Sequence, residues 1–355
     1  MMIKSKSFKL ILLFVALCSA VFYCSQIRSQ YQVMTGETMN TNYRISIRSQ
    51  KEDTLLHNEV RNELQQINSE MSVFEGMSDL SQFNKSTETG WIDVPEDLSK
   101  LLKASYKIYS QTNGYFDPSV GKLVDLWGFG SAKTYKIPSD DEVKEAKKVV
   151  GFNKISFSQD FRKARKSNPA LMLNLSAIAK GYAVDRIAKL LEKNGYKDFL
   201  VEIGGEITAR GNRGKKDKGW NIGVARPDNS KNEVYEYIIK LKNSSVATSG
   251  DYRNYFYVDG KRYSHTIDPK TGYPVEHDLA SVTVFADSCM NADALATGIM
   301  SMGEVKGLEF ANNNRLAAIM FVRKDDGFQV VLSNEAKKLI KQQSIQERPK
   351  AKANE

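Results

Sequence analysis

The chain has 355 residues, 41% of them hydrophobic, which is enough for a substantial core in one large domain or two smaller ones. The formal net charge is +9, and this surplus suits either an anionic substrate or a solvated basic surface. Basic and acidic side chains are mixed, and no arginine or lysine stripe alternates with aromatic residues, which argues against a nucleic-acid-binding protein.

Residues 1–24 begin with several lysines and continue as the apolar run LILLFVALCSAVFY. A charged start before a short apolar run predicts a secretory signal or a single membrane anchor, although the run is short for a transmembrane helix. Cys18 and Cys24 lie in this segment, so Cys289 is the only cysteine of the remaining chain. That count excludes a disulfide framework or a cysteine zinc site in the folded part.

Hydrophobic periodicity predicts a first strand over 31–47 and two helices over 55–71 and 98–110. A charged helix is expected over 139–150, with Ser139 as its N-cap. Between the helices over 98–110 and 139–150, Asp117-Pro118-Ser119 predicts a turn, because a residue before proline rarely adopts the helical conformation. This turn would offer a carboxylate, a hydroxyl and free amides.

An apolar strand is predicted over 171–175, and a helix begins directly after it. Ser176 and Ala177 therefore lie at a helix start, where free N–H groups favour anions, and Lys180 follows one turn later. Further strands are predicted over 196–202, 220–224 and 234–241. The first of them ends at a glycine pair, which allows close backbone approach or forms a tight bend.

Two strands, 254–258 and 262–267, are joined through Asp259-Gly260, a strong hairpin signal between β-forming residues. The hairpin places His265 near the end of its second strand. Because the unperturbed pKa of histidine lies near neutrality, a histidine fixed there is well placed for proton transfer. The alternative is a structural histidine packed against the hairpin. Asp268, in the polar turn that follows, is a possible orienting group.

A strand over 279–286 and a helix over 291–302 follow. Asp293 and Thr297 are four residues apart, so they share one face of this helix. Two oxygen donors suit Mg²⁺, which keeps its other ligands from phosphate and water. The alternative is an aspartate that interacts favourably with the helix dipole.

A last hairpin over 316–332 and a polar tail over 336–355, which begins as a helix, complete the chain. Strands and helices alternate irregularly, with several hairpins. This order predicts an α+β fold with mixed or antiparallel sheets.

Several segments of the chain occur in the order typical of one family. They are Thr38-Met39-Asn40, Phe74, the Asp117 turn, Ser176 to Asp185, Ser249-Gly250-Asp251-Tyr252-Arg253, Ser264-His265 with Asp268-Pro269, and Ala292-Asp293-Ala294-Leu295-Ala296-Thr297. Together they resemble the ApbE family of flavin transferases. This sequence departs from the family pattern at Asn40, where the family has glycine, and at Asn174, where it often has aspartate.

The resemblance implies a single catalytic domain over 31–335, built from two intertwined α/β lobes with the flavin site in the cleft between them. The residues that it places near FAD are Met39, Phe74, Asp117, Pro118, Ser119, Asn174, Lys180, Thr266 and Ile267. It assigns Mg²⁺ to Asp293, Thr297 and the carbonyl of Ala177.

The resemblance further implies Mg²⁺-dependent transfer of FMN from FAD to a threonine hydroxyl of a target flavoprotein, with release of AMP and with His265 as the base. The target is expected to be a subunit of a membrane redox complex. The same site allows an FAD pyrophosphatase, a non-catalytic FAD-binding lipoprotein or a structural exported domain. The expected location is the periplasmic face of the inner membrane, with Cys18 or Cys24 as a candidate lipid site.

Overall fold

The computed structural model describes residues 31–49, 53–130, 134–214, 219–228, 234–252 and 254–346. The predicted signal or anchor over 1–24 lies outside these residues, as does Arg253 of the motif that precedes the histidine hairpin. None of the helices in the described ranges has the length and apolar character that crossing a membrane requires.

Eight α-helices occur in the described residues. They are α1 Thr54–Met71, α2 Asp79–Lys85, α3 Glu96–Gln111, α4 Gly121–Leu126, α5 Asp140–Lys147, α6 Ser176–Lys193, α7 Cys289–Asn313 and α8 Asn334–Gln346. The strands are β1 Gln32–Thr38, β2 Thr41–Ile47, β3 Ile92–Asp93, β4 Ile155–Phe157, β5 Lys163–Lys166, β6 Phe199–Ile203, β7 Glu206–Arg210, β8 Trp220–Ala225, β9 Tyr235–Leu241, β10 Ser244–Gly250, β11 Tyr255–Val258, β12 Lys261–Ser264, β13 Leu279–Ala286, β14 Ala317–Lys324 and β15 Gly327–Leu332.

One large sheet organises the molecule, in the order β1-β2-β6-β7-β10-β13-β14-β15. The pairs β8–β9 and β11–β12 form separate two-stranded sheets, and β3-β5-β4 forms a three-stranded one. Every ladder between these strands is antiparallel. The predicted α+β class with antiparallel sheets is therefore confirmed.

The two faces of the large sheet bury different cores. Along β14, Met320 belongs to the main core, which α1, α6 and α7 cover, whereas Phe321 belongs to a second core under β8 and β9. Neighbouring strand residues point to opposite faces, so the two cores lie on opposite sides of the sheet. Ala336 of α8 is fully buried in the second core. The beginning of the predicted polar tail is thus a packed helix.

A third, smaller cluster surrounds Trp127 and contains Leu123, Val143 and Ile267. The indole N–H of Trp127 donates to the carbonyl of Gly272 at 2.9 Å. This cluster connects α4 and α5 to the turn that follows the β11–β12 hairpin.

The predicted single strand over 31–47 is wrong, because the segment is the hairpin β1–β2. Its turn residues Met39 and Asn40 have φ of 50° and 57°. Asparagine tolerates this left-handed region better than most residues, and two such residues form the turn that matches strand twist. Asn40 therefore forms this turn without the glycine that the family has at this position.

The predicted strand over 171–175 is also wrong. A single bridge joins Met172 to Val120, while the N–H of Leu173 donates to the side chain of Asn84 at 2.8 Å. The N–H of Asn174 donates to the carbonyl of Pro118 at 2.7 Å. This segment therefore bonds to a loop and a side chain instead of a neighbouring strand.

Most other predicted elements are confirmed within a few residues. Strand β13 has the predicted bounds, and Ser139 caps α5 in a capping box with Glu142. The helix predicted over 291–302 continues to Asn313 past a non-helical Gly303, where φ is 79°.

The close packing of α6 on α7 yields a stability prediction. A Cβ built at Gly181 lies 2.4 Å from the carbonyl oxygen of Cys289, so alanine must push the two helices apart. We expect Gly181→Ala to lower the free energy of unfolding by about 1–3 kcal/mol in urea titration. Gly90→Ala is the control, because nothing lies within 4 Å of its added Cβ. Equal stability of the two variants would contradict this account of the packing.

Candidate active site

The contact between α6 and α7 brings the first part of the site together. The N–H of Gly181 on α6 donates to Asp293 Oδ2 on α7 at 3.0 Å. One turn further along α6, Asp185 accepts hydrogen bonds from the N–H groups of Cys289 and Met290, each at 3.0 Å. A carboxylate at a helix N-terminus satisfies N–H groups that have no partner in the helix. Asp185 thus fixes where α7 begins and, with it, where Asp293 lies.

The three predicted metal ligands lie on the two helices that form this contact, Ala177 on α6 and the other two on α7. Asp293 is buried, and within the described residues no hydrogen bond reaches its Oδ1. Thr297 Oγ1, one turn later, lies 3.0 Å from Ser249 Oγ on β10. In an ideal helix the Gly181 N–H would donate to the Ala177 carbonyl, so Asp293 Oδ2 competes with that carbonyl for the same proton.

This donor set consists of one carboxylate, one hydroxyl and one backbone carbonyl. The described part of the chain contains no group of three or more histidine, cysteine, aspartate or glutamate side chains that could hold a metal ion. A sparse set of oxygen donors fits Mg²⁺, which usually keeps several waters and substrate phosphates as ligands. The residues present therefore fit magnesium better than zinc or another metal that prefers nitrogen and sulfur.

A partly buried ion pair between Lys180 and Glu206, which the sequence-based assignment did not include, lies beside these ligands. Lys180 Nζ is 2.6 Å from Glu206 Oε1, at the start of β7. Burial raises the pKa of Glu206, against the opposing effect of Lys180. Burial lowers the pKa of Lys180, but the carboxylates of Glu206 and Asp293 outweigh it and keep the pKa above its ordinary value. Lys180 is therefore charged at neutral pH.

Asp293 shares this environment. Burial raises the pKa of its carboxyl group, while Lys180 and the Gly181 N–H act in the opposite direction. One lysine thus faces two buried carboxylates, and a second cation would favour the ionised form of both.

His265 lies one residue after β12 and is held by the main chain. Its Nδ1 is 3.0 Å from the carbonyl oxygen of Asn254, and its own N–H donates to the same oxygen at 3.1 Å. Because a carbonyl only accepts hydrogen bonds, Nδ1 carries the proton in the neutral ring and Nε2 carries the basic lone pair. Burial lowers the pKa of His265, although the Asn254 hydrogen bond opposes this effect. The ring is therefore neutral and basic at pH 7.

The suggestion that Asp268 orients this histidine is wrong, because the Asn254 carbonyl takes that role. Asp268 Oδ1 instead accepts from the N–H of Lys270 at 2.8 Å. This contact forms an Asx turn, which shapes the loop after the histidine.

The hairpin that carries His265 is tied to the large sheet through Asp251. This buried carboxylate binds Arg262 of β12 at 2.7 Å and also binds Arg323 of β14. The guanidinium of Arg262 additionally lies 4.5 Å from the ring centre of Tyr255. These contacts make Asp251 a positioning residue for the hairpin. In the sequence, its place in the Ser249–Arg253 motif was the only sign of a role.

A model of the ApbE family matches residues 39–320 of this sequence. The chain belongs to the ApbE family. A protein of Haemophilus influenzae named FAD:protein FMN transferase is 40% identical to it over 316 residues, which cover 86% of this chain and 90% of that relative.

Solved structures of ApbE proteins agree with this assignment. The flavin transferase ApbE from Vibrio cholerae has a TM-score of 0.80 at 36% identity, covering 87% of this chain and 99% of that one. The apo form of the flavinyl transferase ApbE from Pseudomonas stutzeri has a TM-score of 0.80 at 35% identity, covering 87% and 96%. The fold described above is therefore the ApbE fold over nearly the whole length of these proteins.

The Asp117 turn is confirmed as a turn, but its polar groups bond to each other. Asp117 Oδ1 accepts from the Ser119 N–H at 2.8 Å and from Ser119 Oγ at 2.6 Å. Ser119 Oγ accepts from the N–H of Gly151 at 2.7 Å, and the Pro118 carbonyl accepts from Asn174. The expectation of free amides is therefore wrong for Ser119. Burial raises the pKa of Asp117.

Asn174, at the other departure from the ApbE pattern, organises the start of α6. Its Oδ1 accepts from the N–H of Ser176 at 2.9 Å. An aspartate would make the same contact with a charge, so the asparagine preserves the geometry without the negative charge.

The remaining predicted FAD-contact residues lie on other loops of the fold. Met39 is partly buried in the β1–β2 turn, and Phe74 is 50% exposed in the loop after α1. Thr266 is half-buried, and Ile267 is buried in the Trp127 cluster. Their contact with flavin stays a prediction.

Proposed function

We propose that this chain is an FAD:protein FMN transferase, which moves FMN from FAD onto a threonine hydroxyl of a target flavoprotein and releases AMP. The observation that carries the proposal is the geometry of His265. Its Nδ1–H is bound by the Asn254 carbonyl, so the basic Nε2 is left for an acceptor hydroxyl. The name that relatives such as the Haemophilus influenzae protein carry supports the same reaction.

In the proposed reaction the threonine oxygen attacks the phosphorus of the FMN half of FAD. A new P–O bond forms as the P–O bond to AMP breaks, and AMP leaves with the electron pair. The hydroxyl proton passes to Nε2 of His265, because a neutral hydroxyl is a weak nucleophile without a base. Lys180 stays charged in its ion pair with Glu206 and would offset negative charge on the phosphates.

We assign Mg²⁺ to Asp293, Thr297 and the Ala177 carbonyl. The support is the buried Asp293 carboxylate, whose Oδ1 has no hydrogen bond within the described residues, next to the Thr297 hydroxyl. When bound, the ion would neutralise charge that develops on the phosphate oxygens.

Incubation with FAD and Mg²⁺, with and without an acceptor flavoprotein domain, separates this function from its alternatives. AMP together with a covalent flavin adduct, formed only with acceptor, supports the transferase. AMP with free FMN in the absence of acceptor means a pyrophosphatase instead. FAD that binds without either product means a non-catalytic binding protein, which overturns the proposal.

We further propose that the protein is exported and held at the periplasmic face of the inner membrane, where its target is a subunit of a membrane redox complex. The support is the charged and apolar composition of residues 1–24, which contain Cys18 and Cys24.

Cell fractionation tests this location. We expect the full-length chain in the membrane fraction, accessible to protease from the periplasm. Labelling with a lipid precursor, compared between Cys18→Ser and Cys24→Ser, identifies a lipid site. An uncleaved protein confined to the cytosol would refute export.

The proposed metal site predicts the effect of removing its only carboxylate. Asp293→Ala should reduce Mg²⁺-dependent FAD cleavage by about a hundredfold or more, because charge stabilisation at the phosphates is lost. Asp287→Asn is the matched control, since Asp287 is exposed just before α7. Wild-type turnover in the presence of EDTA would contradict the role of the metal.

The proposed base predicts both a rate and a pH dependence. His265→Ala should lower transfer by about a hundredfold to ten-thousandfold and should retain FAD binding. Only neutral His265 accepts a proton, and burial lowers its pKa below 6.5. The wild-type rate should therefore fall as the pH drops through that lowered pKa.

The pH–rate profile of His265→Ala should lack this acidic limb. His57→Ala on α1 is the control histidine variant and should keep both the rate and the limb. A folded His265→Ala protein with near-wild-type transfer would exclude His265 as the base.

A further inference from the structure

A cavity of about 710 Å³ lies between the large sheet and β8. One end is lined by Lys180, Glu206 and the glycine pair Gly204-Gly205. Of the residues assigned above to FAD, to the metal or to proton transfer, only Lys180 lines this cavity. The cavity therefore meets the candidate active site at one end and is otherwise separate from it.

The wall opposite the sheet is the edge of a strand. All six residues of β8, Trp220–Ala225, line the cavity, including those whose side chains point to opposite faces. Side chains alternate along a strand, so continuous lining means that the backbone edge itself faces the cavity.

The hydrogen bonding of β9 shows which backbone groups of β8 face the cavity. Lys240 on β9 is opposite Asn221 on β8, and both main-chain groups of Lys240 bond to the side chain of Gln343 on α8, at 2.7 and 3.1 Å. This is therefore a non-hydrogen-bonded pair of the ladder, and the N–H and C=O of Asn221 point away from β9. Because this hydrogen-bonding pattern repeats every two residues, the N–H and C=O of Gly223, opposite Ile238, also point away from β9.

The two edges of this small sheet thus differ. Gln343 covers the β9 edge, whereas the outward backbone groups of Asn221 and Gly223 have no hydrogen bond within the described residues. Proteins usually block or cover such edges, because an open strand edge is a template for another extended chain. Here the open edge faces a cavity that ends at Lys180.

We infer that the acceptor segment of the target flavoprotein binds along β8 as an additional antiparallel or parallel strand, with its threonine at the Lys180 end of the cavity. This inference rests on the proposed function, which requires a second substrate besides FAD. Six residues of β8 extend over about 20 Å, which accommodates five or six residues of an extended segment.

The Lys180 end of the cavity suits the approach of a main chain. Gly205 lines it, and nothing lies within 4 Å of a Cβ added there, which leaves room for a second backbone. His265 is connected to this end, because Asp251, the neighbour of the cavity residue Gly250, binds Arg262 of the strand that precedes His265. A threonine that arrives there has the proposed base and the proposed phosphate-binding lysine nearby.

The test uses the full-length chain and an acceptor flavoprotein domain that the wild type labels. Asn221→Pro removes an outward N–H and leaves the β9 ladder intact. We expect it to raise the KM for the acceptor about tenfold or more, with an unchanged dissociation constant for FAD. Asn221→Ala keeps the N–H and should raise KM less than Asn221→Pro does.

Ser46→Trp is a second, independent variant that narrows the cavity from the sheet side. It lies on β2, opposite Leu200 of β6, and it should raise the KM for the acceptor in the same way. An unchanged acceptor KM in both variants, or an equal loss of FAD affinity, would overturn the binding mode. Failure of the wild type to label any acceptor would instead overturn the proposed function.

Hydrogen exchange identifies what occupies the edge. Protection of the Asn221 and Gly223 amides that appears only on addition of the acceptor supports the inference. Protection without acceptor at every protein concentration would mean that another segment of this chain fills the edge. Protection that grows with protein concentration would mean a second copy, and either result overturns the inference.

Discussion

The close approach of α6 to α7 at Gly181 is the constraint on which the candidate active site depends. Only a residue without a side chain lets a main-chain N–H of one helix reach Asp293 on the other. Asp185 also fixes the position of α7 along its helix axis, because it caps the first turn of that helix. A slip of one residue in α7 would rotate Asp293 by about 100° and would separate it from Lys180.

The close approach of α6 and α7 also determines the charge balance of the candidate active site. Lys180 faces both Glu206 and Asp293, and burial raises the pKa of each carboxyl group. A buried carboxylate without full compensation is unfavourable unless it is protonated or binds a cation. In the reaction proposed above, a bound Mg²⁺ would stabilise the ionised form of these carboxylates.

The β8–β9 hairpin both packs against the sheet and carries the strand edge that we infer binds the acceptor segment. Its inner face buries Trp220 in the second core, so the hairpin is held firmly against the sheet. The side chain of Gln343 occupies its β9 edge, which leaves the β8 edge as the open one. Because the hairpin packs on the sheet through Trp220, its open edge faces the cavity that Lys180 also lines.

The amino-acid sequence by itself determined the elements whose patterns are local. The period of α1, the Asp-Gly hairpin around His265 and the shared face of Asp293 and Thr297 depend on residues a few positions apart. The left-handed turn at Met39 did not carry a glycine signal, and 171–175 had the composition of a strand without a strand to pair with.

Only the tertiary structure decided the partners of the site. Glu206 reaches Lys180 across 26 positions, and a backbone carbonyl, which any residue possesses, sets the tautomer of His265. Local patterns reflect interactions between neighbours in the chain, whereas these contacts exist only after distant segments have packed together.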